Sequence, residues 1–281
     1  MLSLSKKPLI MGILNITPDS FSDGGKYFEV KNAISHIQEL IKSGVDIIDI
    51  GGESTRPGAV AVSEEEEFKR VIPVVKELFS IRNRYRTGET ARRRDGDFLI
   101  SIDTYKSNVA QKAIEAGADM INDVSGLTMD PKMVNVAAKN NCPIVIMHNT
   151  GIPAKKPPVN DCRGVPMAHP ADIIQKIYGW LKKQADFAIK HGVKKENIII
   201  DPGLGFGKTP EEDFYIIQNL SEFKSLGYPI LIGPSRKSFI KKLASRGNWP
   251  VAPTDIEKKS KEITDLAIKN GADIVRIHIN P

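Results

Sequence analysis

Short apolar, β-branched segments recur along this chain, each followed by a polar or glycine-rich turn and then a helical pattern. The strands expected are Leu9–Leu14, Asp46–Ile50, Phe98–Ile102, Asp119–Asn122, Pro143–Met147, Asn197–Ile200, Pro229–Ile232 and Asp273–Ile277. Most are nearly continuous hydrophobic runs, as parallel strands covered on both faces are. Helical spacing fills the gaps, at roughly Val30–Ser43, Ser63–Ile81, Tyr105–Ala116, Pro131–Lys139, Ala171–His191, Glu211–Ser225 and Asp255–Asn270. Gly44, Gly117, Gly192, Gly227 and Gly271 stand where left-handed helix caps are wanted. Three of them open a near-repeat: Gly44-Val-Asp-Ile-Ile-Asp, Gly117-Ala-Asp-Met-Ile-Asn and Gly271-Ala-Asp-Ile-Val-Arg.

Eight strands alternating with helices predict one α/β domain over residues 1–281, a (β/α)8 TIM barrel, ahead of a doubly wound open sheet. The sequence stops at Pro281, just after strand eight, so this reading lacks the C-terminal eighth helix and puts barrel closure beside strand one in question.

Composition narrows the class. Hydrophobic content of 41% and charged content of 26% are those of a soluble globular chain and exclude a disordered one. No apolar run approaches the roughly 18 residues that span a bilayer, so no membrane is expected. The N-terminal stretch reads as a first strand, without the long apolar region of a signal peptide. Cys142 and Cys162 lack His/Cys company for a zinc site and suit a reducing, cytoplasmic setting. The segment Arg82 to Asp97 holds six arginines and three acids, half of the net charge of +6. It reads as a solvated insertion loop in preference to a nucleic-acid patch.

In a barrel, polar residues at the C-terminal strand ends converge on one mouth. Reading round the ring gives Asn15, the loop Gly51–Ala59, Asp103, Asn122 with Asp123, His148, Asp201, the run Gly233–Phe239, and Arg276 with His278. The segment from Asn15 to Gly25 crowds Asn15, Thr17, Asp19, Ser20, Ser22 and Asp23 behind the first strand, more side-chain oxygens than a connection needs. Arg56, Arg236, Lys237, Arg276 and His278 are donors suited to phosphate. Asp103, Asp201 and Asn122 suit a planar, guanine-like heterocycle with adjacent N–H donors and a carbonyl. The run Asp201–Thr209 fails both nucleotide fingerprints; its glycines are expected to let backbone pass close to a flat ligand, with Phe206 as an apolar wall.

Together NITPDSFSDGG, GGESTRPGA, SIDTYKSNVAQKAIEAGADMINDVSG, DPGLGFGKT, GPSRKSF and RIH, in this order over nearly the whole chain, resemble dihydropteroate synthase. The resemblance implies a folate-pathway transferase that joins 6-hydroxymethyl-7,8-dihydropterin diphosphate to p-aminobenzoate, with Mg2+ bound and sulfonamide-type analogues competing. It implies that Asp103, Asn122, Asp201 and Lys237 hold the pterin and that Arg276 packs on it. It gives the diphosphate to Asn15, which also binds Mg2+, and to Arg276 and His278, with Thr55 and Arg56 in the same region. The aminobenzoate falls between Arg56-Pro57, Phe206 and Lys237-Ser238. Of Asp19 and Asp23, one is expected to orient the first loop or the nucleophile, Asp19 being the candidate, and the other to shape the turn, with Thr17 to Gly25 as a lid. The family's habit of dimerising is the one pointer to a homodimer. A pterin-dependent methyltransferase of the same fold would keep the ring readers but needs neither the Arg-Lys-Ser run nor a diphosphate-gripping loop.

Overall fold

The computed structural model describes residues 7–16, 35–55, 59–87, 98–151, 170–234 and 256–279. All eight expected strands are present: β1 (Leu9–Asn15), β2 (Ile47–Gly51), β3 (Leu99–Asp103), β4 (Met120–Asp123), β5 (Ile144–Met147), β6 (Ile198–Asp201), β7 (Leu231–Ile232) and β8 (Ile274–Ile277). The helices between them are α1 (35–42), α2 (Glu64–Thr87), α3 (Ser107–Glu115), α4 (Met133–Asn140), α5 (Pro170–Lys190), α6 (Pro210–Gln218) and α7 (Ile256–Lys269). No described helix is long and apolar enough to cross a membrane.

The strands form one parallel sheet in the order β6-β5-β4-β3-β2-β1-β8-β7. A bridge between Ile200 and Ile230 brings β6 to the start of β7, so the sheet curls into a nearly closed barrel. The seam that the sequence placed in question is well made: Leu9, Ile10, Met11 and Gly12 of β1 pair with Ile274, Val275, Arg276 and Ile277 of β8. The thin seam lies instead between β6 and β7.

Strand residues alternate between two environments, as the two-residue strand period requires. Outward residues such as Ile48, Ile50, Ile100, Ile102, Ile121 and Ile146 pack beneath the helices in one large core. Inward residues Met11, Ile47, Met120, Val145, Ile199, Leu231 and Ile274 form a second core that plugs the lower barrel. Each such side chain contributes roughly 1.5–3 kcal/mol on full burial.

The three near-repeats share one device at the barrel floor. Asp46 donates its backbone N–H to the Ile10 carbonyl at 2.9 Å, and its Oδ2 accepts the Ile10 N–H at 2.7 Å. Asp119 clamps Ile100 in the same way, at 2.8 and 2.7 Å. Asp273 clamps Ile230, at 2.9 and 2.8 Å.

Helix α2 runs six residues past its expected end at Ile81. The start of the arginine-rich stretch is therefore helical, and the reading of Arg82 as part of a solvated loop is corrected. Arg82 is 4% exposed; its guanidinium pairs with Asp119 and reaches the Phe98 and Gly117 carbonyls, each at 3.4 Å. A cation that neutralises the clamp aspartate is held inside, whatever the charge of its sequence neighbours. Conversely, α6 is shorter than expected. Its Thr209–Glu212 capping box sets its start, and the helix gives way at Asn219 to a 3-10 segment over Leu220–Leu226.

Candidate active site

Above the apolar plug the inward positions turn polar. On β2, Ile47 is followed inward by Asp49; on β3, Leu99 by Ser101 and Asp103. On β4, Met120 leads to Asn122; on β6, Ile199 to Asp201; on β8, Ile274 to Arg276. The change from apolar to polar falls at about one level of the barrel, and that level is the floor of the site.

Arg276 is the hub. Its Nε donates to Asp49 Oδ2 at 2.6 Å and its Nη2 to Asp103 Oδ2 at 2.7 Å. The same Asp49 oxygen accepts Asn122 Nδ2 at 2.9 Å. Burial pushes the Asp103 carboxyl up to about 7; Arg276 pulls it down, and Asp49, Glu67 and Asp123 push it up again. Burial alone would depress the Arg276 pKa, but Asp49 and Asp103 hold it above its ordinary value. One cation thus faces two carboxylates, a site poised to accept further positive charge.

Asp201 is buried at the end of β6, with Oδ1 accepting the Gly203 N–H at 2.7 Å. Asn15 ends β1. A side-chain carbon on Gly51 would come within 3.4 Å of Asn15 Oδ1 and 3.6 Å of Asp103 Oδ2, so both oxygens border the same narrow space. Thr55, Phe206 and His278 are half-buried on the segments that follow β2, β6 and β8. Of the other expected site residues, Asp19, Arg56, Pro57, Lys237 and Ser238 lie outside the described residues, as does the proposed lid over 17–25.

Two strand-end residues do not serve the mouth. Asp123 turns into its own loop, where its carboxylate accepts the Ser125 and Leu127 N–H groups, each at 2.8 Å. His148 is buried edge-on against Trp180, with ring centroids 5.1 Å apart. Burial and nearby Lys208 push its pKa down to about 3, so it is held neutral.

Two glycines of Asp201–Thr209 have a packing role. Gly203 and Gly207 have φ of +72° and +77°, and a side chain on either would strike the His148 carbonyl or the Thr150 side chain. They let this loop lie against the end of β5.

Sequence reasoning missed the anchor of the second loop. Lys106 Nζ donates to Glu53 and Glu67, each at 2.5 Å, and to the Val62 carbonyl at 2.6 Å. Tyr105 Oη donates to the other Glu53 oxygen at 2.8 Å, and Arg70 holds the Gly52 carbonyl at 2.9 Å. One ammonium therefore ties residues on both sides of the loop carrying Thr55. Burial raises the Glu67 pKa, and Lys106 offsets part of the rise.

The profile of the pterin binding enzymes matches residues 11–278. The dihydropteroate synthase of Clostridium beijerinckii is 44% identical over 98% of this chain and 90% of its own length. A solved dihydropteroate synthase from Clostridium difficile, in the presence of pteroic acid, superposes with a TM-score of 0.80 at 41% identity, over 99% of this chain and 93% of that one. The Xanthomonas albilineans enzyme in complex with 7,8-dihydropteroate gives 0.77 at 34%, over 99% and 89%. The Yersinia pestis enzyme in a sulfonamide drug complex gives 0.79 at 35%, over 99% and 90%. With its barrel, its polar inner ring and its full-length kinship in agreement, this chain belongs to the pterin-binding enzyme family, among the dihydropteroate synthases.

Proposed function

We propose that this chain condenses 6-hydroxymethyl-7,8-dihydropterin diphosphate with p-aminobenzoate, releasing diphosphate and forming 7,8-dihydropteroate. The observation that carries the reading is the Asp103–Arg276–Asp49–Asn122 cluster at the barrel mouth, where ring-reading acceptors lie beside an anion-binding cation. An aromatic amine is a weak nucleophile. The C–O bond to diphosphate therefore breaks early, leaving a cation delocalised from the methylene into the pterin. The amine nitrogen then forms the C–N bond and loses a proton. Asp103 stabilises the cation, and Arg276 and His278 receive the departing anion; such preorganised groups are worth about 3 kcal/mol each. Asn122, Asp201 and Lys237 read the pterin edge. Thr55, Arg56, Pro57, Phe206, Lys237 and Ser238 enclose the aminobenzoate, and Asp19 orients the first loop.

Mg2+ fits this arrangement. It is bound through few protein oxygens together with substrate phosphates, and the Asn15 amide oxygen at the end of β1 is such a donor. Asn15 would hold the ion, which would neutralise charge on the leaving diphosphate. A cytoplasmic homodimer that takes small-molecule substrates and binds no nucleic acid completes the reading, with sulfonamides competing for the aminobenzoate position. The test is a mixture of the pterin diphosphate, p-aminobenzoate, Mg2+ and protein, assayed for dihydropteroate and diphosphate. Absence of product from folded protein would sink the reading.

A further inference from the structure

Asp49, Asn122 and Arg276 are the last residues of the three near-repeats, on β2, β4 and β8, and they meet in the barrel. We propose that Asp49 is a positioning residue, which fixes the Asn122 amide and the Arg276 guanidinium in the single orientation that receives the pterin and its leaving group. This inference rests on the synthase reading.

The chemistry of the contacts sets both orientations. An ionised carboxylate only accepts hydrogen bonds, so Asn122 must turn Nδ2 toward Asp49. Its Oδ1 is thereby fixed as an acceptor on the other side. Nε of Arg276 on Asp49 and Nη2 on Asp103 define the guanidinium plane, leaving Nη1 to the anion. Neither group has to reorganise when the ligand arrives.

Stability alone does not account for Asp49. It is 0% exposed and shares its cation with Asp103. Apolar replacements of buried ion pairs are often neutral or stabilising. Its Oδ1 accepts no hydrogen bond from the described residues, and Oγ of Ser101, its register partner on β3, makes none with them either. A buried carboxylate with one oxygen unpartnered among the described residues opposes folding, so stability is not what favours it here.

The test uses Asp49→Asn, which removes the charge at constant shape, and Asp49→Glu, which keeps the charge and shifts it by one methylene. Both are expected to lower kcat/KM for the pterin diphosphate by about 10- to 100-fold, since small misplacements of catalytic groups cost that much. KM for p-aminobenzoate stays within about twofold, because Asp49 touches Asn122 and Arg276 and neither is assigned to the aminobenzoate. Calorimetry with 6-hydroxymethyl-7,8-dihydropterin then compares Asp49→Asn, Asn122→Ala and the double variant. The double effect should fall short of the product of the single effects by about threefold or more. Additive effects, or a lowered melting temperature with unchanged kcat and KM, would overturn the proposal. If Asp49→Asn fails to fold, Asp49→Glu alone decides: wild-type kinetics would overturn the positioning role. A wild-type protein that binds the pterin without turnover would sink the synthase reading, while the binding cycle would still test Asp49.

Discussion

The two ends of the repeated hexapeptide do opposite things with the same geometry. At the lower end the repeat places Asp46, Asp119 and Asp273, and each makes the same two-bond clamp on the strand beside it. At the upper end it places Asp49, Asn122 and Arg276, three chemically different groups that bond to one another. Identity at one level builds the barrel three times over. Difference at the other level builds one asymmetric site. A position that repeats in residue type is structural here, and a position that repeats only in placement is chemical.

Breaking the upper end should have the largest effect. Replacing Arg276 by Met removes the cation shared by Asp49 and Asp103, and kcat/KM for the pterin diphosphate should fall by about 1000-fold or more. The uncompensated carboxylates should also lower stability by about 3–5 kcal/mol. Near-normal turnover would show that the upper residues are not the chemistry. Breaking the lower end should spare turnover per folded molecule while weakening the fold. Asp119→Asn leaves Arg82 buried without its anion and should cost about 3 kcal/mol in denaturant unfolding. Asp46→Asn, with no ion pair among the described residues, should cost about 1 kcal/mol. Equal losses at the two positions would show that the clamp, not the ion pair, carries the energy.

A titration sharpens the same contrast at the upper end. Asp103 is pushed up to about 7, chiefly by burial, with Arg276 opposing the rise. The proposed mechanism needs Asp103 as a carboxylate, so kcat/KM for the pterin diphosphate should fall about tenfold per unit as pH drops below about 7. Asp103→Asn should lack this limb, and a limb that survives the substitution belongs to another group. For stability the sign is reversed. The fold favours neutral Asp103, so that contribution is complete below about pH 3.9 and is lost as pH rises through about 7.

The strands were legible because parallel strands buried on both faces write themselves as runs such as Ile47–Ile50 and Ile198–Ile200. Asp103, Asn122 and Arg276 were legible because the barrel sends every strand end to one mouth. Asp49 was not picked out: it stands two residues before Gly51, inside an apolar run, and its partners are 73 and 227 residues away. Its signal was present all the same, as the third aligned final position of the repeat. Arg82 was misjudged because composition averages over neighbours, whereas burial is decided one residue at a time by the helix face it occupies. His148 and Asp123 show the converse. Both are polar residues at strand ends, yet local packing against Trp180 and local loop amides claim them before any ligand can.

The long span bridged by Arg276 bears on the order of events during synthesis. Asp49 leaves the ribosome 227 residues ahead of its cation and Asp103 leaves 173 ahead. At about 5–20 residues per second, the two carboxylates precede Arg276 by about 11–45 s and about 9–35 s. The Asp49–Arg276–Asp103 contacts therefore form only once the eighth strand is in place. The strand that joins β1 to β7 also supplies the cation, so this cluster and that stretch of the sheet are made by the same element.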